Sequence, residues 1–264
     1  MKTKLVLILV VGLSFLHRQE LYAQSFESYE KHQYIKNNDT LPYRLLLPEG
    51  YQKGKKYPLV IFLHGAGERG NDNEKQLTHG GSLFVSGENR QKYPAIVVFP
   101  QCSQKSYWSN VKIAGSGTNR VFEFTNGGTP TFPMQLLIEL MKDLDKQYGI
   151  SQQQVYVMGL SMGGMGTFEL VNRMPETFAA AIPICGGANT ATAANLKGTK
   201  WWVFHGGKDD VVLPRYSEEM VAAMKKNKVN VKFTLFPDAN HNSWDATFAQ
   251  PGLLKWLFSQ SRSR

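Results

Sequence analysis

Short apolar runs bounded by turn-forming residues recur along most of the chain. They are rich in β-branched and aromatic residues, and uninterrupted apolar character is typical of strands covered on both faces. The pattern predicts strands at 43–47, 59–63, 95–99, 155–158, 179–184, 201–204 and 231–236.

Amphipathic segments separate several of these strands. Residues 134–148 place leucines on one face at helical spacing, with Pro133 before the segment and Gly149 after it. Further helices are predicted from Pro214, with acidic residues early and lysines late, and at about 251–259. Strands that alternate with helices predict a mostly parallel sheet with helices on both faces and a ligand site at the carboxyl ends of the strands.

Residues 114–131 are rich in Gly, Ser, Thr and Asn and show no period. We expect them to form a surface loop near the site. Neither an internal repeat nor a linker interrupts the sequence, so the pattern favours one folded domain over 24–264.

The first residues have the composition of an export signal. Lys2 and Lys4 precede an apolar run over 5–11, and Ala23 is a small residue suited to cleavage. The run is shorter than the about 20 apolar residues of a membrane-spanning helix. The sequence therefore predicts a signal peptide at 1–23 and a secreted or periplasmic protein without stable membrane insertion.

Charge adds little to this picture. The net charge is +9, but the lysines are scattered along the chain. A nucleic-acid partner is not expected, because such proteins concentrate their basic residues in a patch or stripe. The histidines show no metal-ligand spacing, so neither a metal nor a cofactor is expected.

One serine lies in a glycine-rich turn between a strand and a helix. The strand at 155–158 is followed at once by Gly159-Leu-Ser-Met-Gly-Gly164 and then by a helical stretch. The glycines let neighbouring chain approach a strained turn, and the helix start offers free N–H groups to a developing negative charge. We expect Ser161 to be a nucleophile at the edge of the sheet.

A serine nucleophile requires a base, and the base requires an acid that orients it. His241 follows the last predicted strand and is the expected base. Asp209 follows the strand at 201–204 and is the expected acid, with Asp210 and Asp238 as alternatives. The reaction rate should rise as His241 loses its proton and should persist above neutrality.

Backbone amides are expected to stabilise the negative charge formed during the reaction. Met162 follows the serine, and the loop His64-Gly-Ala-Gly67 follows the strand at 59–63. Met162 and Ala66 are therefore the expected oxyanion-hole donors. Glu68 and Arg69 are expected to pair and to fix this loop.

Two tryptophans are candidates for substrate binding. Trp108 and Trp244 have aromatic faces that suit an acyl group or a sugar. Packing in the interior is the alternative for both.

These motifs resemble those of the α/β-hydrolase superfamily, and within it those of secreted esterases related to dienelactone hydrolases, feruloyl and acetylxylan esterases and the so-called predicted peptidases. The likeness is carried by residues 64–70, 100–102, 159–164, 205–212 and 241–244. It implies an α/β-hydrolase catalytic domain over 24–264 without a large lid. It also implies Ser161, Asp209 and His241 as the triad, with the first aspartate of the pair as the acid.

In this fold the strands that precede Cys102 and Cys185 would lie about three positions apart, roughly 14 Å at ~4.8 Å per strand. A disulfide tolerates a Cα separation of only about 7 Å, so none is expected between them.

The expected function is that of a secreted serine carboxylic-ester hydrolase. Its expected substrates are small esters or acylated oligosaccharides that carry feruloyl or acetyl groups. A peptidase of the prolyl-oligopeptidase kind or an acyltransferase with the same triad is one alternative. A non-catalytic polysaccharide-binding module is the other.

Overall fold

The computed structural model describes residues 26–262, apart from the side chain of Thr118. The predicted signal peptide lies outside the described residues. The strands are β1 (Glu30–Lys36), β2 (Asp39–Leu46), β3 (Tyr57–Leu63), β4 (Ile96–Pro100), β5 (Val111–Ala114), β6 (Val121–Phe124), β7 (Ile150–Leu160), β8 (Ala180–Ile184), β9 (Lys200–Gly206) and β10 (Val231–Phe236). The α-helices are α1 (Gly81–Val85), α2 (Gly87–Lys92), α3 (Phe132–Gln147), α4 (Met162–Arg173), α5 (Arg215–Lys226), α6 (Trp244–Phe248) and α7 (Leu253–Ser259).

Eight of these strands form one sheet in the order β1-β2-β4-β3-β7-β8-β9-β10. Strands β1, β2 and β4 pair antiparallel, and all the other neighbours pair parallel. The prediction of a mostly parallel sheet is therefore confirmed. Parallel pairing brings the segments after β3, β7, β8, β9 and β10 to the same edge of the sheet.

Both faces of the sheet are covered. In β3, Ile61 packs in a cluster with Leu137 and Leu140 of α3, whereas Phe62 packs in the opposite cluster with Leu257 of α7. Since alternate residues of the central strands are buried on opposite faces, their sequences are apolar without interruption. Each fully buried aliphatic side chain contributes roughly 1.5–3 kcal/mol to folding.

The seven predicted strands are all present, but three further strands, β1, β5 and β6, were not predicted, because none of them is buried on both faces. Strand β1 alternates between exposed and half-buried positions at the sheet edge, so it lacks an apolar run. The region 114–131, predicted to be a loop, contains β6, which pairs antiparallel with β5 as a separate hairpin. Only Phe122 is buried among the four residues of β6. Within residues 26–262, none of the helices combines the length and the apolar character needed to cross a membrane.

Candidate active site

Ser161 connects the end of β7 to the start of α4. Its backbone has φ 52° and ψ −116°, a strained conformation for a residue with a side chain. The Ser161 N–H donates to Ile184 O at 2.8 Å, and Ser161 O accepts from Met165 N at 3.0 Å. A Cβ atom at Gly163 would collide with the carbonyl oxygen of Leu63. The glycine thus allows the turn to pack against β3 and hold the serine at the sheet edge.

The structure brings together the three residues expected from the sequence to form a triad. His241 Nε2 lies 3.0 Å from Ser161 Oγ, and His241 Nδ1 lies 2.8 Å from Asp209 Oδ2. An ionised carboxylate can only accept, so the proton is on Nδ1 and the Nε2 lone pair faces the serine in neutral His241. Of the alternative acids, Asp210 is exposed and Asp238 pairs with Lys208 at the surface.

Asp209 is buried and remains charged. Its Oδ1 accepts hydrogen bonds from Val211 N and Val212 N at 2.9 Å, and its Oδ2 lies 3.2 Å from His205 Nε2. Burial alone would raise the pKa of Asp209, but the hydrogen bonds from His205 and His241 outweigh it and hold this pKa well below its usual range. Asp209 is therefore an ionised partner that can stabilise a positive charge on His241.

A buried histidine holds the loop opposite the serine. His64 Nε2 accepts from Cys102 N at 2.9 Å, and its Nδ1–H donates to Gly65 O at 2.6 Å. Burial lowers the pKa of His64 to about 4, so this ring is neutral at physiological pH. It fixes backbone rather than reaching the cavity.

Ala66 and Met162, the expected oxyanion donors, line the same cavity as Ser161. The cavity has a volume of about 500 Å³. Ala66 begins the 3₁₀ turn Ala66–Glu68 and Met162 begins α4. First-turn amides have no acceptor within their own helix, so these N–H groups are suited to a negatively charged oxygen.

The expected Glu68–Arg69 pair is replaced by other contacts. Arg69 Nε donates to Ala66 O at 3.0 Å, and Nη1 donates to Gln104 O and Ser106 O. Glu68 lies 3.8 Å from His79 instead. Arg69 thus fixes the Ala66 loop through carbonyl groups, an arrangement that charge pairing along the sequence does not reveal.

Neither tryptophan lines the cavity among the residues described. Trp108 is fully buried, 5.4 Å from the His64 ring and against Gly166 of α4. The expectation that Trp108 binds substrate is wrong, because its ring is buried between His64 and α4. Trp244 is half-buried and lies edge-on to His241, with 5.5 Å between the ring centroids. It contacts His241 rather than the cavity.

Sequence reasoning missed most residues that form the cavity wall. Val211 and Val212 belong to the segment 205–212 that carries Asp209, but only the fold shows that they line the same cavity as Ser161. The sequence of β5 and β6 has no apolar run that would predict strands. It supported only the expectation that residues 114–131 lie near the site. The missed lining residues are Arg69, Tyr107, Ile113, Gly115, Arg120, Phe122, Met165, Val211 and Val212.

A thiol lies beside the three hydrogen-bonded residues. Ligand atoms of Cys185, Asp209 and His241 all lie within 4.8 Å of one another, a set that sequence spacing did not predict. Burial raises the pKa of the Cys185 thiol, which keeps it protonated at physiological pH. The Asp209–His241 hydrogen bond accounts for the other two members.

Comparisons with known proteins agree with this geometry. The family model Esterase matches residues 36–250. "Probable feruloyl esterase C" from Aspergillus terreus is 26% identical over 180 residues, which are 67% of this chain and 58% of that protein. A bifunctional acetylxylan esterase/xylanase from Neocallimastix patriciarum is 32% identical over 156 residues, which are 59% of this chain and 20% of that protein.

A solved structure is similar over most of the chain. The crystal structure of a thermostable esterase is 32% identical, with a TM-score of 0.81, over 90% of this chain and 64% of that one. The chain thus spans 58%, 20% and 64% of the lengths of these three proteins.

Proposed function

The chain belongs to the Esterase family of α/β-hydrolases, and from this premise we propose that it hydrolyses carboxylic esters through an acyl-enzyme formed on Ser161. The observation that carries the proposal is the hydrogen-bonded series Asp209, His241 and Ser161 beside two first-turn amides. A nucleophile, a base, an acid and an oxyanion site are the parts that acyl transfer needs.

The distances support an ordered transfer of one proton. Ser161 Oγ attacks the ester carbonyl carbon as His241 Nε2 takes its proton, and the amides of Ala66 and Met162 stabilise the oxyanion. His241 then gives that proton to the leaving alcohol oxygen as the carbon–oxygen bond breaks. Water attacks the acyl-enzyme, again giving a proton to His241, which returns it to Ser161 Oγ as the acid product leaves. Asp209 remains ionised throughout and stabilises the imidazolium.

The experiment compares two serines at opposite ends of β7. Ser161→Ala should lose about 10³-fold or more of kcat on 4-nitrophenyl acetate and should no longer be labelled by a fluorophosphonate. Ser151→Ala removes a hydroxyl from the opposite end of the strand and should retain both properties. If Ser161→Ala keeps most of the activity, or if the wild type is not labelled, the serine mechanism is wrong.

We propose acylated polysaccharides as the natural substrates, with feruloyl or acetyl groups on the sugar. Similarity to proteins named for feruloyl and acetylxylan ester hydrolysis supports this class. Feruloylated oligosaccharide, acetylated xylan and short peptides should be compared by kcat/KM. If kcat/KM is higher for the peptides than for the esters, the esterase proposal is wrong and the protein is a peptidase with the same triad.

We also propose export of the protein, with cleavage after Ala23. Lys2, Lys4 and the apolar run over 5–11 support the proposal. Amino-terminal sequencing of the exported protein should begin at Gln24. Recovery of the chain only in the cytoplasm with an intact amino terminus would contradict it.

A further inference from the structure

The cavity at Ser161 contains positive charge without matching negative charge. Arg69 and Arg120 both line it, and no Asp or Glu is among its described lining residues. The remainder of the lining consists of glycine, apolar and hydroxyl-bearing side chains. An ester bound here would therefore share the cavity with two arginines and with no described carboxylate.

Arg69 is fixed but not neutralised. Its Nε and Nη1 donate to three backbone carbonyls, and its guanidinium carbon lies 4.6 Å from the centroid of the Tyr107 ring. Among the described residues, no carboxylate pairs with it. These contacts orient the side chain, and its positive charge at the cavity wall is not neutralised by any described carboxylate.

Arg120 has fewer restraints. It lies between the two strands of the hairpin β5–β6, is half-buried, and has neither a hydrogen bond nor an ion pair from its side chain to any described residue. The hairpin is tied to the domain by Phe122 N, which donates to Tyr216 Oη at 3.0 Å. This hydrogen bond holds the backbone of the hairpin beside the cavity. The Arg120 guanidinium remains able to bind a ligand.

We propose that Arg120, assisted by Arg69, makes this site selective for esters that carry a carboxylate near the scissile bond, such as an ester on an oligosaccharide that contains a uronic acid. A guanidinium binds a carboxylate through two parallel N–H···O bonds, and the protein walls strengthen this attraction relative to bulk water. The proposal rests on the ester hydrolysis proposed above and specifies the substrate class of the same site.

The test uses two pairs of rigid esters, each pair consisting of a carboxylate and a carboxamide of nearly equal size and shape. 4-Acetoxybenzoate and 4-acetoxybenzamide place the charge on the alcohol side; ethyl 4-carboxycinnamate and ethyl 4-carbamoylcinnamate place it on the acyl side. In at least one pair, the wild type should show a kcat/KM about tenfold higher for the carboxylate than for the amide. Because the attraction is electrostatic, this ratio should fall as salt is raised.

Arg120→Gln should reduce the carboxylate-to-amide ratio severalfold toward one, with the remainder due to Arg69. Lys112→Gln is the matched control, since it removes one positive charge from an exposed position of β5 in the same hairpin. It should keep the wild-type ratio. A wild-type ratio near one in both pairs, or a high ratio unchanged by Arg120→Gln, would overturn the proposal.

Failure of this inference is distinguishable from failure of the proposed function. If the amide esters are hydrolysed through Ser161 without any carboxylate preference, only the selectivity is wrong. If Ser161→Ala hydrolyses all four esters at the wild-type rate, the esterase proposal itself is wrong.

Discussion

Asp209 and Asp210 are chemically identical neighbours whose environments differ. Asp209 is buried and accepts hydrogen bonds from two amides and His241, whereas Asp210 is exposed. At the residue scale, burial and hydrogen-bond direction therefore determine which aspartate can hold His241.

Replacing each aspartate in turn tests this difference. Asp209→Asn should reduce kcat on a nitrophenyl ester by about 10³–10⁴-fold, because a neutral amide no longer stabilises the imidazolium and favours the wrong tautomer. Asp210→Asn should stay within about twofold of the wild type. Equal losses in the two variants would contradict the role given to Asp209.

We predict that His64 makes the stability of the folded protein sensitive to acid. Its pKa in the folded protein is lowered to about 4 by burial, below the ordinary value of 6.5. Because this pKa is lower in the folded than in the unfolded protein, folding favours the neutral ring. The contribution of His64 to the free energy of unfolding is therefore complete above pH 6.5 and is lost as the pH falls toward 4. The loss amounts to about 3 kcal/mol of the free energy of unfolding.

Urea unfolding between pH 7 and pH 4 measures this contribution. In His64→Gln the free energy of unfolding should fall less steeply over this range than in the wild type. His32→Gln, which changes a partly exposed histidine of β1, is the control for the loss of an imidazole. Parallel curves for the wild type and His64→Gln would show that His64 does not titrate as stated.

The sequence was informative about residues whose chemistry requires a particular local motif. The position of Ser161 in a strained turn could be predicted because such a turn needs glycine on both sides, and the position of His241 at the same sheet edge because it follows a strand. Trp108 could not, since a tryptophan in a segment without period has the same sequence signature whether it fills a core or lines a cavity. Its burial depends on His64 and Gly166, which are distant in sequence.

At the scale of elements, the strand–turn–helix unit formed by β7 and α4 depends on backbone contact. A side chain at Gly163 would meet the carbonyl oxygens of Leu63, at the end of β3, and of His64, in the loop that follows β3. Neither group can move without disturbing the sheet or the site. Glycine at this position is therefore a packing requirement as well as a turn requirement.

Gly163→Ala should consequently lower the free energy of unfolding by about 3 kcal/mol or more, or prevent folding. Gly87→Ala in α2 is the control, because a Cβ atom there meets no described atom within 4 Å, and its effect should stay within about 1 kcal/mol. Urea unfolding measures both variants. A Gly163→Ala protein as stable as Gly87→Ala would show that the turn accommodates a side chain.

The hairpin β5–β6 is an element that the sequence pattern does not predict. Central strands are buried on both faces, so their apolar runs are visible in the sequence. The hairpin has one buried residue on β6 and mostly exposed positions on β5, so its stability comes from pairing and from the Tyr216 contact instead. Neither the backbone pairing nor the contact with Tyr216 produces a hydrophobic period in the sequence.

At the scale of the whole molecule, sheet order separates the two cysteines. Cys102 follows β4 and Cys185 follows β8, and β3 and β7 lie between these strands. Both thiols are free and buried in the structure, as the expected strand separation required. Burial raises the pKa of Cys102 to about 12 and that of Cys185 still further.

Thiol reactivity then reports on the integrity of the whole fold. Aromatic disulfide reagents react with the thiolate, so a buried thiol with a raised pKa should not react at pH 8 in the native protein. After denaturation in guanidinium without a reductant, two thiols per chain should react, since the sequence contains two cysteines. Ser259→Cys adds a thiol at an exposed position and should supply one rapid reaction in the native state. If the denatured wild type shows no free thiol until it is reduced, the cysteines are bonded, and the strand order that separates them by about 14 Å would be incorrect.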